Sequence, residues 1–111
     1  MLIMSLAVFT LVAAMGLGMV CDIARGVGTP KMFALIHAGF AAFGSALVIL
    51  AALNGDNRVW VNIGLAVVII LLGLTLSLKR AKGVAPRGLV AAHGGLAVVC
   101  YLILAYNALT G

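Results

Sequence analysis

The stretches Lys31-Met-Phe-Ala-Leu-Ile-His-Ala-Gly-Phe-Ala-Ala-Phe-Gly-Ser-Ala-Leu-Val-Ile-Leu-Ala-Ala-Leu53 and Arg87-Gly-Leu-Val-Ala-Ala-His-Gly-Gly-Leu-Ala-Val-Val-Cys-Tyr-Leu-Ile-Leu-Ala-Tyr-Asn-Ala-Leu109 decide the fold. Each follows a proline and opens on a cation, runs apolar for more than 20 residues, and carries a single imidazole seven places after the proline. They stand 56 positions apart, the spacing of Pro30 and Pro86, His37 and His93, Gly39 and Gly95, Ala41 and Ala97, Leu53 and Leu109, and Gly55 and Gly111. Lys31 opposite Arg87 preserves the charge. The chain repeats itself, with copies at about 1–55 and 57–111.

A hydrocarbon layer about 30 Å thick takes roughly 20 apolar residues per crossing helix. Four runs meet that length: Leu2 to Val20, Lys31 to Leu53, Val59 to Leu78 and Arg87 to Leu109. Strands are excluded, because transmembrane strands alternate apolar and polar residues over about 10 positions, whereas these runs are continuously apolar. Of the 111 residues, 66% are hydrophobic and 8% charged, and the mean hydropathy is +1.33, so no soluble core accounts for the composition. The first run lacks the basic flank and cleavage site of a secretory signal and is expected to persist as a helix. The expectation is an all-α integral membrane protein of four transmembrane helices, an up-down bundle built from two tandem helical hairpins.

The connections, about Cys21–Pro30, Asn54–Arg58 and Lys79–Pro86, are too short to hold a soluble domain. Six of the seven cations, Arg25, Lys31, Lys79, Arg80, Lys82 and Arg87, flank the first and third connections. Short loops rich in Lys and Arg stay in the cytoplasm, which predicts basic loops there, with the termini and the 54–58 turn on the periplasmic side of a bacterial inner membrane. The net charge of +5 is a topology signal and does not point to nucleic acid. Cys21 and Cys100 lie at different depths and are not expected to pair.

Two helices per copy bring the second copy into the membrane in the same sense as the first. His37 and His93 are then expected at one depth, about 10 Å from the prolines, on diagonal helices 2 and 4 facing each other across the bundle. An imidazole in hydrocarbon is costly unless partnered, and an ionisable group there signals function by default. Two facing imidazoles are the axial ligand set of a haem iron. Ala41, Gly44 and Ala97 leave room on the histidine faces, and Lys31 and Arg87 stand where propionates would lie. With no Cys-x-x-Cys-His, the haem would be non-covalent haem b. The candidate site is therefore His37 and His93 as metal ligands, with Lys31, Arg87, Ala41, Ala97 and Gly44 around the cofactor.

The arrangement is similar in outline to membrane b-type cytochromes, in which histidines on different helices clamp haem inside a bundle. That resemblance is architectural and implies electron transfer between a membrane donor such as quinol and another redox partner, within a larger membrane complex. The competing expectation is a small subunit or assembly factor without its own cofactor, its histidines serving interhelical contacts. A third is copper passage through Met15 and Met19. Carboxylate pairs and Ser-His-Asp sets are missing, so neither hydrolysis nor group transfer is expected.

Overall fold

The computed structural model describes residues 1–111 and contains four long helices. Helix α1 spans Leu2–Ala24, α2 Lys31–Leu53, α3 Trp60–Ala81 and α4 Arg87–Leu109, with a short 3-10 turn at Asn57–Val59 leading into α3. In lipid every backbone N–H and C=O must be satisfied within the chain, which selects helices for these apolar runs. All four are long and apolar enough to cross a membrane, and 23 residues rise about 34 Å. The chain is an integral membrane protein.

The helix boundaries follow from backbone chemistry. Pro30 and Pro86 hold φ at −55° and −61° immediately before α2 and α4, and their carbonyls accept the first helical bonds, from Ala34 and Val90. Proline suits a helix start because it has no N–H to leave unpaired. Both first-hairpin and second-hairpin helices preceding these prolines stop on a glycine in the left-handed region, Gly26 at φ +70° and Gly83 at φ +80°. There Val27 N–H donates to Asp22 O and Val84 N–H to Lys79 O, closing the exposed carbonyls. Two helices outrun their apolar stretches: α1 continues through Asp22 to Ala24, and α3 through Lys79 and Arg80 to Ala81. Helical hydrogen bonding needs no apolar side chain once it leaves the hydrocarbon.

Neighbouring helices run antiparallel around a square. Helix α1 packs on α2 and α4, α3 packs on α4 and less extensively on α2, and the backbones of the diagonal pairs stay apart. The bundle measures 43 × 22 × 19 Å. Its two ends differ. Around the termini and the 54–59 turn lies the core, Val48, Ala51, Ala52, Val59 and Leu104, with Leu2, Leu6, Phe9 and Ile63 packed against it. Ser5, Gly44, Asn62 and Asn107 are buried in the same half. Toward the basic connections no side chain is fully buried. Only nine of 111 residues are buried, so most apolar side chains face outward, where lipid tails solvate them.

Three polar contacts tie the turn half together. Ser5 Oγ donates to Gly44 O at 3.1 Å, Asn62 Nδ2 to Cys100 O at 2.9 Å, and Asn107 Nδ2 to Arg58 O at 3.5 Å. At the basic end, Asp22 accepts from Arg25 and from Thr29, and Arg80 Nη1 donates to Thr29 Oγ1 at 2.8 Å. That chain of bonds fastens the first connection to the end of α3.

Candidate functional site

Both imidazoles lie in the looser half, each half-buried, on the diagonal helices α2 and α4. Each ring lies against a glycine on the first helix of its own hairpin. A Cβ built on Gly16 of α1 would stand 3.4 Å from His37 Cε1, and one built on Gly73 of α3 would stand 2.8 Å from His93 Cε1. Any side chain at position 73 would force the ring or a helix to shift.

The hydrogen bond of the second ring fixes its chemistry. His93 Nδ1 lies 2.9 Å from Ile69 O, and a carbonyl only accepts, so Nδ1 carries the proton. Nε2 then holds the lone pair. The corresponding carbonyl in the first hairpin, Val12 O, is close to His37, but His37 Nδ1 is sealed from solvent without a hydrogen-bond partner. Neither Nε2 is hydrogen-bonded within the chain, and neither is among the sealed unpartnered atoms.

These contacts follow the duplication, with one adjustment. Along the second helices the offset is 56, as for His37 and His93; along the first helices it is 57, as for Val12 and Ile69 or Gly16 and Gly73. Ser5 and Asn62 obey the larger offset, and their acceptors, Gly44 O and Cys100 O, the smaller. The histidine-on-glycine contact and the polar bond to a carbonyl of the second helix thus recur at matched places in both hairpins.

The other expected site residues are distributed unevenly. Lys31 and Arg87 head α2 and α4 as expected and are exposed. Ala41 and Ala97 are half-buried one turn beyond the imidazoles. Gly44 leaves no room for a guest, because Phe9 fills the space beside it: a Cβ there would stand 2.9 Å from Phe9 Cε2. The glycines that border the imidazoles are Gly16 and Gly73, which lie on the helices that carry no histidine. Applying a 57-residue offset to α1 and α3 would have paired them from sequence.

Other groups make no centre of their own. Cys21 and Cys100 are free thiols, and Asn62 with Cys100 forms an interhelical clasp, the amide reaching Sγ at 3.5 Å. Thr10 Oγ1 and Tyr101 Oη are 2.7 Å apart across α1 and α4. No group of three or more His, Cys, Asp or Glu residues is placed to hold a metal ion, which leaves the imidazole pair as the one set of nitrogen donors. Comparison with protein-family models, curated proteins and solved structures returned no match.

Proposed function

We propose that the chain is a membrane b-type cytochrome or cytochrome subunit, with one haem b held between His37 and His93. The observation that carries this reading is the matched pair of imidazoles, each with an Nε2 that the rest of the chain leaves unbonded. The donor set fits the group. Metal-ligating histidines characteristically donate their second ring N–H to a carbonyl, which orients the ring and raises its basicity, and His93 makes that bond to Ile69 O.

When bound, haem b supplies a one-electron ferric–ferrous couple. The chain's own residues do the rest. His37 and His93 would hold and orient it, the apolar helices would exclude water, and Lys31 and Arg87 would offer positive charge to its propionates. The chain then passes electrons between a membrane donor such as quinol and a further redox partner, as part of a larger complex. The concentration of cations on the first and third connections supports a topology with that end in the cytoplasm and both termini in the periplasm, in a bacterial inner membrane.

The visible spectrum of the purified, dithionite-reduced protein tests the proposal. Six-coordinate b-type bands, lost when either imidazole is replaced in H37A or H93A, are the expected result. Protein that stays colourless after expression with excess haem overturns it. A second reading has one observation in its favour, the interhelical bond from His93 to Ile69 O: the chain is then a cofactor-free subunit or assembly factor, and H93A lowers bundle stability with no change in absorbance.

A further inference from the structure

We infer that the connection between α3 and α4 binds the phosphate of an anionic glycerophospholipid, whose acyl chain lies along the adjoining outer face of α3. This binding is independent of the haem reading and follows from a difference between the two basic connections.

The second connection carries positive charge that nothing in the chain neutralises. Lys79 stands in the last turn of α3, Lys82 caps its end, and Arg87 opens α4. All three are exposed. The chain has only two carboxylates, and both are engaged elsewhere: Asp22 holds Arg25 and accepts from Thr29, and Asp56 holds Arg58 in the turn at the opposite end. Clusters of cations at the end of a membrane helix attract anionic headgroups.

The face below these charges has the shape of the rest of a lipid. Leu78, Leu74 and Leu71 lie four, eight and eleven residues before Lys82, a spacing that keeps them on one side of the helix. They are 68%, 57% and 59% exposed. Eleven residues of helix rise about 16 Å, close to the roughly 15 Å depth of hydrocarbon in one leaflet. A chain lying on the leucines therefore brings its phosphate level with Lys79 and Lys82, which are neighbours three residues apart.

The first connection has already filled the corresponding place. At the offset of 57, Lys79 answers to Asp22, Lys82 to Arg25, Leu78 to Cys21 and Leu71 to Ala14. Asp22 Oδ1 lies 2.9 Å from Arg25 Nη2, so an internal carboxylate supplies the anion there. Arg80 is likewise engaged, donating to Thr29 Oγ1 and Val27 O. The carboxylate does for the first hairpin what a lipid phosphate does for the second.

The test uses the full chain in neutral detergent micelles at physiological ionic strength, titrated with phosphatidylglycerol or with phosphatidylcholine of the same acyl chains, and reads bound lipid by native mass spectrometry. The wild type is expected to prefer phosphatidylglycerol. K79Q/K82Q is expected to weaken that binding about 25-fold, or about fivefold per lysine, and to leave phosphatidylcholine unchanged. R25Q/K31Q removes the same net charge from the first connection and is expected to stay within about twofold of the wild type, because exposed charges more than about 8 Å away are screened. Equal weakening by the two double variants overturns the proposal, since binding would then follow net charge and not place. Equal binding of the two lipids by the wild type overturns it as well. Excess inorganic phosphate, which has no chain to lay on the leucines, is expected to leave the lipid bound; displacement would mean that the cations take phosphate alone, and the lipid assignment would fail.

Discussion

In the first hairpin Ser5 reaches Gly44 O and the phenyl ring of Phe9 fills the space beside that glycine; in the second Asn62 reaches both the carbonyl and the thiol of Cys100. The imidazoles show the same pattern: both rest on a glycine of the preceding helix, but only His93 gains a hydrogen bond there. Duplication has kept the backbone register and the sites of interhelical contact, while the atoms that make each contact have diverged. In lipid, helices gain little from burying apolar surface against each other, so close approach at small residues and a few polar contacts hold them together. Those are the features that recur.

Replacing Gly73 and Gly16 in turn is the sharpest way to break the comparison. G73A places a methyl 2.8 Å from His93 Cε1, where either the ring or a helix must move. Overpacking of this kind costs about 1–3 kcal/mol, and the Ile69 bond should be lost with it. G16A meets His37 at 3.4 Å, a tight but ordinary separation, and should stay within about 0.5 kcal/mol of the parent. Unfolding by sodium dodecyl sulfate in mixed micelles reads both; equal effects would show that the two rings are seated alike.

Gly44 offers the next largest effect. A methyl at this position would meet the end of the Phe9 ring at 2.9 Å, and a flexible side chain gives way more readily than a backbone, so G44A should cost about 1 kcal/mol, at the low end of overpacking. Shortening the ring in F9L should relieve it. A double-mutant cycle between G44A and F9L is expected to give a coupling of at least about 0.5 kcal/mol, and additivity would refute the contact.

The two polar anchors separate more finely. S5A deletes a satisfied interhelical bond and should cost about 0.6 kcal/mol, the average for such bonds within membranes. N62L removes a comparable bond but also an amide oxygen that is buried without a partner, so the two changes offset and stability should stay within about 0.5 kcal/mol of the parent. The same unfolding titration ranks them, and a larger loss in N62L would mean that Oδ1 has a partner after all.

The smallest effect belongs to the turn between the hairpins. Hydrogen bonds from Arg58 hold the Asp56 carboxyl below its ordinary range. A depressed folded value favours the folded state above the ordinary carboxylate pKa, and that contribution disappears as pH falls through the lowered value. The pair is exposed, so the gain is slight. Melting temperature followed from neutral pH down to acid should show a small decline that D56N lacks.

The four crossings were legible because unbroken apolar length is a one-dimensional property. Lys31–Leu53 and Arg87–Leu109 match their helices residue for residue, since proline and cation mark the starts and a polar residue follows each end. The diagonal placement of α2 and α4 also follows from short connections. Lateral orientation was harder to read. Helices that are apolar on every side carry no stripe to say which face meets a neighbour, so Gly44 looked vacant although Phe9 fills it, and the glycines against which the imidazoles lie were not identified. The 3-10 turn at Asn57–Val59 was missed because Asp56 caps it through a local bond, to Arg58 N–H at 3.2 Å, that leaves no periodic trace.

The change of offset from 57 to 56 lies between the glycine that stops one helix and the proline that starts the next: four steps separate Gly26 from Pro30, and three separate Gly83 from Pro86. An extra residue inside a helix would rotate everything beyond it by about 100° and send an imidazole toward the acyl chains. Within that connection it changes only the slack of a loop, because the proline restarts the count and the seventh residue after it arrives at the same height and bearing. The connection is the one stretch of each hairpin where chain length can drift without moving the nitrogen donors.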